Sequence, residues 1–254
     1  MKIAIITGAS SGLGKEFAIQ IDRQEKLDEI WLIARDRGAL SLTASALRTK
    51  SRIIDLDLSK QENRDSFSNL LKTEAPYIKI LVNAAGFGKI GATEIIAKQD
   101  IKDMIEVNIC ALTDMCLAAR PFMHAGSRII NMASVSGFIP LPYLNVYAAT
   151  KAFVLRFSQG LHDELKSKGI AVTAVCPYWV DTNFIPVAKN SPGAKSVTNF
   201  PFITKAQPVV QRALCDNRKG NIHSFFGFAS NTVHVLAHIM PVCAQMAVWN
   251  MIRR

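Results

Sequence analysis

The chain has 254 residues, 49% of them hydrophobic and 20% charged, and 30 Lys and Arg against 20 Asp and Glu give a formal net charge of +10. This length suits one large α/β domain or two small ones, and this apolar content argues against disorder. No uninterrupted apolar stretch reaches the roughly 18 residues of a membrane span, and neither a block of like charges nor a zinc-finger spacing marks a nucleic-acid binder, so none is expected as a partner.

The five cysteines, Cys110, Cys116, Cys176, Cys215 and Cys243, are odd in number and contain no C-x-x-C pair, which reads as a reduced, cytoplasmic chain. The N-terminal apolar run is too short for a signal peptide and reads as a buried strand.

In chain order, strands are expected at 2–7, 29–34, 52–57, 78–83, 127–134 and 170–176. Helices are expected at 12–24, 36–48, 61–73, 101–123 and 144–168, the last ended by Gly169. Strands this apolar are buried on both faces, and their alternation with helices predicts a doubly wound, mostly parallel seven-stranded sheet, the Rossmann fold. One such domain is expected over 1–254. Residues 182–210, which hold Pro186, Pro192, Pro201 and Pro208, read as a substrate loop or lid. Residues 220–224 read as the last short strand, and 225–254 as an apolar extension with a helical stretch interrupted at Pro241.

The first strand runs into Thr7-Gly8-Ala9-Ser10-Ser11-Gly12-Leu13-Gly14. Glycines let backbone N–H groups approach a phosphate, and the following helix adds the positive end of its dipole. Further on, Tyr147 and Lys151 are four apart on an expected helix and share one face. The ammonium is expected to lower the phenol pKa, which would tune Tyr147 for proton transfer near neutral pH.

Together these residues resemble the short-chain dehydrogenase/reductase family over about residues 1–182. The family's T-G-x-x-x-G-x-G turn matches Thr7 to Gly14, and its N-A-G element after the fourth strand matches Asn83-Ala84-Ala85-Gly86. Its helix asparagine matches Asn108, its serine Ser134, 147 − 134 = 13 residues before the tyrosine, and its Y-x-x-x-K matches Tyr147 and Lys151.

The resemblance implies an NAD(P)-dependent oxidoreductase that interconverts a carbonyl and a secondary alcohol. Tyr147 would be the acid/base, Lys151 would hold the nicotinamide ribose, Ser134 would hydrogen-bond the substrate oxygen, and Asn108 would help hold a water linked to Lys151. The turn residues Gly8, Ser10, Ser11, Gly12, Leu13 and Gly14 would cradle the dinucleotide. Asn83, Ala84, Ala85 and Gly86 would line it, and Asp57 and Leu58 would meet the adenine. Pro177, Val180 and Thr182, in the family's P-G-x-V-x-T position, would contact the nicotinamide side, although Tyr178 stands here in place of the glycine.

Arg35 follows the second strand, where NAD binders usually carry an acidic residue. A guanidinium suits a 2′-phosphate, so NADP is expected, with NAD as the alternative because Asp36 is next in the chain. The segment Gly137–Tyr143, with Tyr178, Trp179, Phe184, Ile185, Phe200 and Phe202, predicts an apolar pocket in which Tyr143 and Tyr178 touch a bulky ketone or alcohol, steroid-like or fatty. His234 and His238 are four apart but have no third ligand nearby, so no metal is expected. The apolar tail reads as a helix packed on the sheet or on a second subunit, with a membrane surface as the other option. The alternatives to the soluble reductase are a dinucleotide-binding regulator without turnover and a peripheral membrane enzyme acting on lipid ketones.

Overall fold

The computed structural model describes residues 1–254. The first half of the sheet is β1 (Lys2–Thr7), β2 (Glu29–Ala34), β3 (Ser51–Asp55) and β4 (Tyr77–Asn83), joined by α1 (Gly12–Gln24), α2 (Arg37–Ala44) and α3 (Gln61–Glu74). The second half is β5 (Arg128–Met132), β6 (Ala171–Val175) and the two-residue β7 (His223–Ser224), with α4 (Lys98–Ile105), α5 (Leu112–Ala119), α6 (Asn145–Lys166), α7 (Phe184–Lys189) and α8 (Ala206–Arg218) between them. Two helices, α9 (Gly227–Ile239) and α10 (Val242–Ile252), end the chain.

The strand order is β3-β2-β1-β4-β5-β6-β7, and every pairing is parallel. The order reverses between β1 and β4, which opens a crevice at their carboxyl ends, where ligands of open α/β sheets bind.

The alternation of side chains along a strand builds the two core layers. Ile3, Ile5, Trp31 and Ile33 pack on one face, while Ala4, Ile6, Ile30 and Leu32 pack on the other. A register shift between Ile3 and Ala4 lets Ile78 and Ile80 of β4 enter opposite layers in spite of their even spacing. A third apolar cluster gathers Tyr147, Leu141, Leu144 and Ala148 with Trp249 of α10.

Several boundaries differ from expectation. Asp36 is the N-cap of α2 and not its first residue, because its carboxylate accepts a 2.9 Å bond from the Ala39 N–H. The helix expected over 101–123 is broken: a π-helical stretch, Glu106–Ala111, separates α4 from α5, and a 3₁₀ turn, Arg120–Phe122, closes it at Pro121. The π stretch carries Asn108 and turns it inward. In the 182–210 segment α7 and a short 3₁₀ turn, Ala194–Ser196, form, and a single parallel bridge joins Val180 to Thr204.

Candidate active site

One continuous cavity of about 890 Å³ opens from the β1–β4 crevice. Its floor at one end is the turn after β1, where Gly8, Ser10, Ser11, Gly12, Leu13 and Gly14 all line it. The close packing of this turn requires glycine: a Cβ on Gly14 would lie 2.2 Å from the Gly8 carbonyl oxygen. Ser11 caps α1 without a side-chain hydrogen bond, so the first N–H groups of that helix face the cavity. Thr7, which motif matching left without a role, holds the crevice together. Its hydroxyl accepts from the Ala84 and Ala85 N–H groups, both at 3.1 Å, and ties the β4 end to the glycine turn.

Arg35, Asp36, Asp57, Leu58 and Lys60 line the same end. Arg35 and Lys60 make no ion pair, whereas Arg37 is engaged with Asp55 at 2.9 Å and Asp36 caps α2. Burial acts to raise the Asp57 carboxyl, but bonds from Ser59 and the nearby charges of Arg35 and Lys60 outweigh it and hold the group below its ordinary value. Two free cations beside a deprotonated carboxylate form a place where an added anion would be neutralised.

In the middle of the cavity Ala84, Ala85 and Gly86 face Ser134, Tyr147 and Lys151. Ser134 ends β5 and starts a 3₁₀ turn, and its hydroxyl accepts from the Ser136 N–H at 3.2 Å. Lys151 donates to the Met132 carbonyl at 2.6 Å, and its nitrogen lies 5.7 Å from the centre of the Tyr147 ring. The Tyr147 phenol moves opposite to expectation. Burial pushes the Tyr147 phenol up to about 12, against a smaller opposing pull from the Ser134 and Ser136 hydroxyls. Burial also lowers the Lys151 ammonium to about 8, partly offset by Cys176. Removing both groups from water costs their charged forms more than their proximity returns.

Three expected site residues do not line the cavity. Asn83 points beneath the sheet, where its amide nitrogen donates to Asn131 Oδ1 at 2.9 Å and to Cys116 Sγ at 3.2 Å. The period of a strand puts it on the face away from the crevice. Asn131 in turn donates to Ser158 at 3.0 Å, so this buried polar row fastens α6 to the sheet. Asn108 is also turned from the cavity. It donates to the Phe87 carbonyl at 2.9 Å and to the Thr150 hydroxyl at 3.0 Å, and accepts from the Phe87 N–H at 3.1 Å. Thr150 donates to the Tyr147 carbonyl at 2.7 Å, so Asn108 links the loop after β4 to the turn of α6 that carries Tyr147. Tyr143 packs its ring under the Arg253 guanidinium, 4.2 Å from ring centre to carbon. Its positive φ of 69° turns it out of the course that the Gly137–Tyr143 segment was expected to follow.

The apolar end has a different composition from the one expected. Ile139, Leu141, Tyr178, Trp179 and Phe184 line it, but Phe138 packs with Phe225 and His234, and Phe202 is 73% exposed. Pro177, Val180 and Thr182 reach the cavity, and Thr182 approaches the glycine turn so closely that a Cβ on Gly12 would meet it at 3.1 Å. Ser136 was overlooked. It is buried on the cavity wall, its Oγ is close enough to pull on the Tyr147 phenol but makes no well-formed hydrogen bond, and it stands two residues after Ser134 in a Ser-x-Ser pattern.

The tail forms a wall as well. Leu236, Met240, Val248, Trp249 and Ile252 face the cavity, and the Trp249 indole donates to the Pro142 carbonyl at 2.8 Å.

A glycine-turn cradle, a free cationic end and a Ser–Tyr–Lys group lie on one cavity of a doubly wound α/β protein. The short chain dehydrogenase profile matches residues 2–191, and the chain belongs to the short-chain dehydrogenase/reductase family of oxidoreductases acting on CH–OH donors. It is similar to the human very-long-chain 3-oxoacyl-CoA reductase, 33% identical over 196 residues that cover 73% of this chain and 62% of that protein, less than two-thirds of its length. The fold is shared with a short-chain dehydrogenase from Sphingobium yanoikuyae in complex with NADPH, with a TM-score of 0.80 and 27% identity over 97% of this chain and 96% of that one. It is also shared with a bulky-bulky ketone specific alcohol dehydrogenase from Comamonas testosteroni, with a TM-score of 0.76 and 29% identity over 97% and 95% of the two chains.

Proposed function

We propose that the chain is an NADP(H)-dependent reductase of bulky, apolar ketones. The observation that carries this reading is the single cavity that joins the glycine turn to Ser134, Tyr147 and Lys151 and then to an apolar end. When bound, the dinucleotide supplies or accepts the hydride. Its fit is supported by the open N-terminus of α1 for the pyrophosphate and by the unpaired Arg35 and Lys60 for a 2′-phosphate. The NADPH bound by the Sphingobium protein points the same way.

Tyr147 holds the proton. A phenol pushed up to about 12 is protonated at neutral pH, so it can donate to an alkoxide that develops at the substrate oxygen. Its phenolate would take the proton in the reverse oxidation of an alcohol, so the same group serves both directions. Ser134 orients the substrate oxygen, and Ser136, two residues on, shares that end. Lys151, fixed by the Met132 carbonyl, holds the ribose and presents its charge beside the phenol. Asn108 is a positioning residue that acts through Phe87 and Thr150.

A large apolar substrate is supported by the aromatic wall of Tyr178, Trp179 and Phe184 and by the α9–α10 tail, with the expected 182–210 lid cut back to residues 182–205 because α8 starts at Ala206 and buries Val209 and Val210 in the core. The bulky-ketone and very-long-chain names of two similar proteins agree with this reading. The test is a panel of ketones from short and charged to steroid-like and long-chain, each with NADPH and NADH, read by the absorbance of the reduced nicotinamide. Highest kcat/KM for bulky apolar ketones with NADPH is expected. A panel led by small acidic ketones would overturn the substrate reading.

A further inference from the structure

Residues of α9 and α10 line the cavity, and others of the same two helices are exposed apolar side chains, interspersed with Asn231, His238 and Asn250. The inward face carries Met240, Trp249 and Ile252. The outward face carries Phe228 (83% exposed), Val235 (57%), Ile239 (71%), Val242 (57%) and Met251 (76%). Phe228, Val235 and Ile239 fall at i, i+7 and i+11, one stripe along α9. Leu236 and Val248 belong to both faces, because they line the cavity and are 38% and 37% exposed.

The exposed apolar residues, interrupted on α9 only by Asn231 and His238, call for an apolar phase on the outer side of the tail. Spanning is not the answer. At about 1.5 Å per residue the 13 residues of α9 extend roughly 20 Å, short of the roughly 30 Å hydrocarbon layer, and no helix of the chain is long and apolar enough to cross a membrane.

α9 and α10 contain no Asp, Glu, Lys or Arg, and Arg253 and Arg254 follow them directly. Arg253 donates to the Ser196 carbonyl, which brings the exposed Lys195 beside the exposed Arg254 at the end of α10. An apolar stripe with the exposed Lys195 and Arg254 at one end matches the boundary between acyl chains and anionic headgroups.

We propose that α9 and α10 form an interfacial docking surface for anionic lipid bilayers, through which lipophilic substrate passes from the membrane into the catalytic cavity. The outer stripe lies among the acyl chains, Lys195 and Arg254 meet the headgroups, and the tail stands between the bilayer and the cavity. The passage of substrate rests on the ketone-reductase reading, but docking does not require turnover, so its failure is distinguishable from that of the reading.

The experiment is co-sedimentation of the full chain with vesicles of phosphatidylcholine alone and of phosphatidylcholine mixed with phosphatidylglycerol. Val235→Asp/Ile239→Asp and Phe228→Ser are compared with it, since none of these side chains lines the cavity. NADPH binding confirms folding of each variant, and sedimentation velocity gives its oligomeric state. The full chain is expected to partition onto the anionic vesicles, more weakly at high salt and onto phosphatidylcholine alone. The double variant is expected to lose about tenfold or more of that partitioning with NADPH binding unchanged, and Phe228→Ser to lose part of it. The proposal is overturned if the full chain stays in the supernatant with anionic vesicles, or if both variants sediment as it does. It is equally overturned if the stripe proves to join two copies of the chain, so that the double variant dissociates an oligomer which itself ignores vesicles.

Discussion

The Lys151 ammonium lies 5.7 Å from the centre of the Tyr147 ring and is fixed there by a 2.6 Å bond to the Met132 carbonyl. The partner that Lys151 actually bonds is the last residue of β5, so the geometry of the pair depends on how α6 seats against the sheet. Asn131–Ser158 holds that seating from below, and Asn108–Thr150 holds it from the side.

Removing only the phenolic oxygen should isolate the proton-transfer role. Tyr147→Phe is expected to lower kcat by about 10²- to 10⁴-fold, the usual weight of a general acid, with NADPH affinity nearly unchanged. Steady-state kinetics and fluorescence titration of NADPH check this. Turnover near the original rate would remove Tyr147 from the chemistry.

The pH profile should report Lys151. Below about pH 8 both Lys151 and Tyr147 carry their protons; above it Lys151 loses its proton and charge while Tyr147, at about 12, keeps its proton. For ketone reduction, kcat/KM for NADPH is therefore expected to fall above about pH 8, by up to tenfold per unit. The contribution of Lys151 to stability runs the other way. Its pKa is lowered on folding, so between about 8 and 10.5 the unfolded chain holds the proton that the folded one has released, and stability rises with pH. Thermal melts across the range thus separate the two effects. A kcat/KM that stays level from neutral pH to pH 10.5 would contradict the assignment.

Arg35→Ala should discriminate between the cofactors. A hydrogen bond to a charged group is typically worth about 1.5–3 kcal/mol, so NADPH should bind roughly tenfold to a hundredfold more weakly while NADH changes little. Lys60→Ala should act in the same direction, and more weakly because its flexible ammonium is a single point charge. Equal losses for both cofactors would assign the pair to general surface charge.

Trp249→Ala should open the far wall. It removes the bond to the Pro142 carbonyl and a buried ring that packs in the same cluster as Tyr147. The KM for bulky ketones is expected to rise by about tenfold or more through lost apolar burial, and small ketones and NADPH should be affected little. An equal effect on all substrates would mean that the tail supports the catalytic group and not the substrate.

Much of the molecule could be read from the chain itself. The bounds of β1, α1 and β2 emerge as expected, because buried parallel strands and capped amphipathic helices leave local periodic signals. The glycine turn and the spacing of Ser134, Tyr147 and Lys151 are equally local, and all of them meet on one cavity.

Other features depended on packing between distant segments, which no local period encodes. Asn83 turns beneath the sheet because the parity of its strand aims it at Asn131, and Tyr143 leaves the pocket because Arg253, 110 positions later (253 − 143 = 110), takes its ring. The Tyr147 pKa moves up and not down because burial, a property of the assembled core, outweighs the pull of the Ser134 and Ser136 hydroxyls. The apolar composition of the tail was plain in the chain. Only the fold decided which of its faces looks onto the cavity and which onto solvent, since that depends on where the α9–α10 pair docks and not on its own sequence.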